Sequence, residues 1–129
     1  MRDKIAHMGF PGLHSGLANT LLMYTMVMAV WSLWLFGRRR NMSSHYWGAL
    51  LINELVFIAQ LLVGVIMVFQ GMVPVRIVHY LYGFLAVITL PSAFAFTRGR
   101  STYREAMIYG VLMLFLAGIV LRAKMTASV

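Results

Sequence analysis

Long apolar runs separated by short polar breaks organise the whole chain. They extend roughly from Leu17 to Phe36, Tyr46 to Phe69, Ile77 to Phe96 and Ala106 to Leu121. A helix crossing a bilayer needs about 20 mostly apolar residues. The runs meet or approach that length, the last being the shortest. None alternates apolar and polar residues as a transmembrane strand does, and each is too long for one. Backbone polar groups in lipid must pair within their own segment, which again selects helices. The pattern predicts an all-α integral membrane protein, a single transmembrane domain over residues 1–129 with four spanning helices.

The breaks set the expected topology. Gly37-Arg38-Arg39-Arg40-Asn41-Met42-Ser43-Ser44 separates the first two runs, and Gln70-Gly71-Met72-Val73-Pro74 the next two. Thr97-Arg98-Gly99-Arg100-Ser101-Thr102 opens the last break. Short connections make sequence neighbours antiparallel neighbours, so an up-down-up-down bundle is expected. The first break holds Arg38, Arg39 and Arg40, the third region Arg98, Arg100 and Arg104, and the middle one only Arg76. Basic residues concentrate on the cytoplasmic side. Residues 37–45 and 97–105 are therefore expected in the cytoplasm of a bacterial inner membrane, with both termini outside. Arg2, Lys4, Arg122 and Lys124 weigh against that orientation. Trp31, Trp34, Tyr46 and Trp47 are placed at the inner interface and Tyr80 and Tyr82 at the outer one, where aromatic rings favour headgroup depth. The first run ends in arginines without a small-x-small cleavage pattern, so it is expected to be retained.

Composition narrows the partners. The chain is 61% hydrophobic and 11% charged, where a soluble domain carries about 25% charged residues. Most of its surface is thus expected to avoid water. The net charge of +8 could suit nucleic acid. Here the basic residues sit between apolar runs, so lipid headgroups are the expected partners and nucleic acid is not. The absence of cysteine excludes disulfides, thiolate metal sites, covalent c-type haem attachment and Cys-ligated iron–sulfur clusters.

Few residues can carry chemistry. Glu54 lies inside the second run, about 5 Å to the inner side of the midplane at 1.5 Å per residue. An ionised carboxylate there is costly, so the group must face the bundle or carry its proton. Trp31, Thr89, Ser92 and Tyr109 are expected at a similar depth as hydrogen-bond partners. A proton-relay or quinone-site carboxyl is one reading, and a neutral group locking helix packing is the other. Asn53 and Gln60 share a face with Phe57 and Gly64, a polar and small stripe typical of helix contacts in membranes. His14, before the first span, and His79, opening the third, are expected at one outer depth. Two imidazoles on facing helices can bind haem b iron axially, or one can ligate a chlorophyll-type pigment. Gly83 and Ala86 follow His79 on its face and would admit a flat macrocycle; Gly12 and Gly16 flank His14. The same small residues also allow close helix packing. His45 and His7 read as interfacial polar residues. No His-x3-His or Glu-x2-His spacing occurs.

Met23, Met26 and Met28 could suggest Cu(I), but methionine is ordinary apolar filler and no extramembrane Met-x-x-Met cluster accompanies them. Pro91 is expected to kink the third helix, with Thr89 and Ser92 satisfying the freed carbonyls. No nucleophile elbow, phosphate-binding glycine loop or paired carboxylates are present, so no enzyme activity is expected.

The stretch Arg76-Ile77-Val78-His79-Tyr80-Leu81-Tyr82-Gly83 resembles small four-helix membrane proteins of respiratory and photosynthetic chains, including four-helix halves of haem A synthase-like and cytochrome b-like proteins. The likeness covers one helix by residues and the remainder by architecture. It implies an energy-transducing membrane. The helical Glu-x-x-His of haem A synthase is missing, so none of its chemistry carries over. The expected role is an accessory subunit of a larger electron-transport complex, associated with other integral membrane subunits. The alternatives are a haem carrier using His14 and His79 and a proton-coupled transporter centred on Glu54.

Overall fold

The computed structural model describes residues 10–71 and 77–128. Arg2, Asp3, Lys4, His7, Pro74 and Arg76 lie outside the described residues. The chain forms α1 (Phe10–Gly37), α2 (Ser44–Phe69), α3 (Val78–Thr97) and α4 (Tyr103–Ser128), with no strand among the described residues. All four are long and apolar enough to cross a membrane. The shortest, α3, has 20 residues, about 30 Å at 1.5 Å per residue.

Helix ends depart from the hydropathy pattern where local chemistry overrides it. Helix α1 begins at Phe10 rather than Leu17, so His14 lies within the helix and not before it. Hydropathy falls across Gly12, His14, Ser15 and Gly16, but none of these ends a helix. A proline in the first turn, here Pro11, sacrifices only a donor that has no partner there. Helix α4 begins at Tyr103 rather than Ala106. The Thr102 amide donates to Glu105 Oε2 at 3.2 Å, the Thr102 hydroxyl donates to the same oxygen, and Arg100 Nε donates to Oε1 at 3.0 Å. This is a Thr-x-x-Glu capping box. The helix also continues past Leu121 through Arg122 and Lys124, whose stems can lie along apolar surface. Ser43 caps α2, its Oγ accepting from the Tyr46 amide at 3.3 Å.

The helices meet in a ring, α1 against α2 and α4, and α3 against α2 and α4. The α1–α4 seam is the most extensive, and α2 and α3 touch least. Along α1 and α2, Ser32 meets Tyr46, Thr25 meets Asn53 and His14 meets Gln60. Residue order thus falls along one helix as it rises along the other. At one end the Met42 amide donates to the Ser101 carbonyl at 2.7 Å, and Trp47 Nε1 to Ser101 Oγ at 2.8 Å. Both arginine-bearing breaks therefore lie together.

Several of the few polar side chains within these spans turn inward, into a mostly apolar core. Thr25, Ser32, Asn53 and Thr97 are fully buried, whereas Met23, Phe69 and Phe96 are more than 70% exposed. A soluble bundle has the opposite arrangement. Apolar helices with this outward face suggest a multi-pass integral membrane protein. The Trp34 ring has the Arg38 and Arg40 guanidinium groups 5.8 and 6.0 Å from its centroid. Tyr46 and Trp47, at the same end, are engaged inside the bundle. Tyr46 is buried with its hydroxyl on Ser32, and the Trp47 ring packs edge-on against Phe94 and Tyr109.

Helix α3 ends on Arg98, held in the left-handed region at φ 53°. That conformation costs a residue with a Cβ about 1–2 kcal/mol, and glycine is the usual residue there. Arg98→Gly is expected to raise stability by about 0.5–1 kcal/mol, measured by thermal unfolding in detergent. Gly99 follows at φ 69°, and a Cβ there would lie 3.2 Å from the Phe94 ring, so glycine is required at that second position.

Candidate functional site

About five helical turns along α1 from the Ser32–Tyr46 contact, at the end of the bundle opposite the arginines, His14 and His79 face each other. Their ring centroids are 6.0 Å apart and the planes inclined by 66°. His14 comes from α1 and His79 from the first turn of α3. The carbonyl of Ala123 on α4 lies 3.0 Å from His79 Nδ1. A carbonyl only accepts, so Nδ1 carries the hydrogen and Nε2 the lone pair. This is the arrangement by which an outer hydrogen bond orients a metal-binding imidazole.

His14 is held from α2. Gln60 Nε2 donates to the His14 carbonyl at 2.8 Å. A Cβ on Gly64, one turn further, would sit 3.4 Å from His14 Cε1, so glycine seats the imidazole against the α2 backbone. His14 Nδ1 and Gln60 Oε1 are buried without a hydrogen-bond partner among the described residues. Buried polar atoms of this kind call for a polar group beside them.

The pair borders a cavity of about 630 Å³, walled by Ala18, Phe57, Leu61, Gly83, Ala86 and Val120 among others. The volume falls within the usual range for small-molecule sites, and the wall is mostly apolar with few polar groups. Gly83 and Ala86 do line it, whereas Gly16 faces open space and has no part in it. Lys124, at the rim, donates to Asn19 Oδ1.

The other residues singled out from sequence go elsewhere. Asn53 is fully buried and joins three helices: Thr25 Oγ1 donates to its Oδ1 at 3.4 Å, and its Nδ2 donates to Met113 Sδ at 3.4 Å. Glu54 is about nine-tenths buried, and neither carboxyl oxygen has a hydrogen-bond partner among the described residues. The groups expected beside it are committed elsewhere. Thr89 Oγ1 donates to the Leu85 carbonyl at 2.6 Å, Tyr109 shares a hydrogen bond with Thr97 at 3.1 Å, Trp31 packs on Tyr46, and Ser92 is exposed. Met28 is buried while Met23 and Met26 are exposed, so the three thioethers do not converge. His45 is exposed at the arginine end. Among the described residues no three His, Asp or Glu side chains gather as a metal cluster.

One contributor was not visible in the chain, and two were visible only in part. Ala123 lies beyond the expected end of the last helix, and a backbone carbonyl has no sequence signature. Gly64 and Gln60 were legible as a polar, small stripe, but not as the support of His14. No protein-family model, curated protein or solved structure matches this chain.

Proposed function

We propose that this chain is a haem-binding membrane subunit that carries electrons, with His14 and His79 as the residues that would hold the haem. The observation that carries the reading is the histidine pair on the apolar cavity. With ring centroids 6.0 Å apart, both imidazoles would be within reach of one metal ion, whose bonds to nitrogen are about 2.0–2.1 Å. Two histidines with no third His, Asp or Glu gathered beside them among the described residues suit a metal whose other ligands come with a macrocycle. A chlorophyll-type pigment would use one imidazole and leave the convergence of the second unexplained.

The haem supplies one-electron chemistry. The protein's part is to hold and tune it: Ala123 fixes the His79 tautomer, Gln60 and Gly64 fix His14, and the apolar wall excludes water. In this reading the helices form an up-down-up-down bundle, supported by the opposed residue order of each contacting pair. The arginine end is cytoplasmic, both termini lie outside, and the membrane is a bacterial inner membrane. Electron exchange takes place with other integral membrane subunits of a larger energy-transducing complex, so the accessory role expected from sequence becomes that of a redox-active subunit.

Titrating the detergent-purified chain with haem b tests the proposal. A saturating one-to-one complex with a shifted Soret band and a sharp α band on reduction is the expected result. A spectrum indistinguishable from haem in empty detergent micelles would overturn it.

A further inference from the structure

Glu54 belongs to no part of the histidine site. It is the sole acidic side chain in α1, α2 and α3, and none of the three contains Lys or Arg. No cation within them can therefore balance a buried carboxylate, and its two oxygens accept from no described donor. An ionised carboxylate is acceptor-only, whereas a protonated one has a donor to place.

The bundle indicates where that donor goes. Trp47, Glu54 and Leu61 are seven residues apart and share one stripe of α2. Trp47 meets Phe94 of α3, ring centroids 5.6 Å apart, and Leu61 Cδ1 lies 3.7 Å from the Cβ position of Gly83. Glu54, midway between these contacts, comes opposite the α3 turn Val87–Leu90. Gly83, Val87, Leu90 and Phe94 form the α3 stripe facing α2 by the same helical spacing. Pro91 sits inside α3. It has no N–H to give the carbonyl four residues earlier, which is that of Val87. Thr89, expected to satisfy a freed carbonyl, donates to Leu85 instead.

We propose that Glu54 is a proton-binding site: its carboxylic acid keeps the proton and donates it to the Val87 carbonyl that Pro91 leaves without an amide donor. One feature on each helix thus completes the other across the α2–α3 contact. Loss of the proton would set a carboxylate against a carbonyl oxygen, and the two helices would separate where they already touch least. The titratable groups facing this level from other helices are Tyr24 of α1, donating to the Ala49 carbonyl at 2.7 Å, and Tyr109 of α4, engaged with Thr97; α3 has none there. The inference is independent of haem binding.

Infrared spectroscopy of the full chain in lipid nanodiscs at pH 7 tests it. The expected spectrum contains a carboxylic-acid C=O band that disappears in Glu54→Gln. In Pro91→Ala and Pro91→Ser an amide donor returns to Val87, the Glu54 hydrogen bond weakens, and the band moves to higher frequency. No band difference between wild type and Glu54→Gln would overturn the proposal, as would an unmoved band in the folded Pro91 variants. Where those variants do not fold, carbon-13 labelling of valine carbonyls in Glu54→Leu serves: the Val87 signal must shift, and an unchanged signal counts against the contact.

Discussion

His79→Ala is expected to abolish six-coordinate haem binding, with the sharp reduced α band lost and affinity reduced by more than the roughly 10–100-fold that removing an outer-shell partner costs. The argument rests on what surrounds the imidazole. Its Nδ1 side is committed to Ala123 on α4, so the ring cannot be replaced by a rotation of another side chain. No further His, Asp or Glu converges on the cavity among the described residues. His14→Ala removes the facing ligand and should give the same spectral loss. The pair also separates ligation from packing. If His79 served only to join α3 to α4, its removal would lower the unfolding temperature without changing the Soret band of the haem-titrated protein. Absorption and thermal unfolding of each variant, measured on the same preparation, distinguish the two.

Gly110→Ala should be the most damaging single methyl addition in the bundle. A Cβ there would sit 2.8 Å from Leu33 Cδ2, 3.0 Å from Leu33 Cγ and 3.2 Å from Ser32 Cβ. The first atom could swing away. Leu33 Cγ moves only if its χ1 changes, and Ser32 Cβ is bonded directly to the α1 backbone, with Ser32 held by its hydrogen bonds to the Met28 carbonyl and the Tyr46 hydroxyl. The strain therefore reaches the α1–α4 seam, the most extensive in the protein. Overpacking of this sort costs about 1–3 kcal/mol, visible as a lower unfolding temperature in detergent. Gly118→Ala is the matched control on the same helix. It meets nothing within 4 Å and gains helix propensity of up to about 1 kcal/mol, so it should be neutral or stabilising. Equal losses at both positions would mean that α4 does not pack on α1 through Gly110.

The spans were legible because apolar length is a one-dimensional property. Their ends were less so. Phe10 to Gly16 reads as too mixed for a membrane run, yet it is helical because helix formation needs backbone pairing and not hydropathy. The start of α4 was written in Thr102 and Glu105, a signal that a search for apolar runs passes over. The shared depth of His14 and His79 followed from their places near the same ends of their helices. Their direct opposition did not, since rotation of each helix about its axis is set by packing. Asn53 and Glu54 show the limit well. They are adjacent in sequence, but a 100° step turns Asn53 toward Thr25 and Met113 and leaves the Glu54 carboxyl buried without a hydrogen-bond partner among the described residues, and only the assembled bundle decides which finds partners.

The Ser101 linkage has a mechanical consequence. Through Met42 and Trp47 it clasps the two breaks at the arginine end, while the cavity opens at the far end, between helices that touch sparsely. A bundle pinned at one end pivots there, so a small angular change near Ser101 becomes a larger displacement at His14 and His79, and the distant clasp bears on how far the cavity between them can widen.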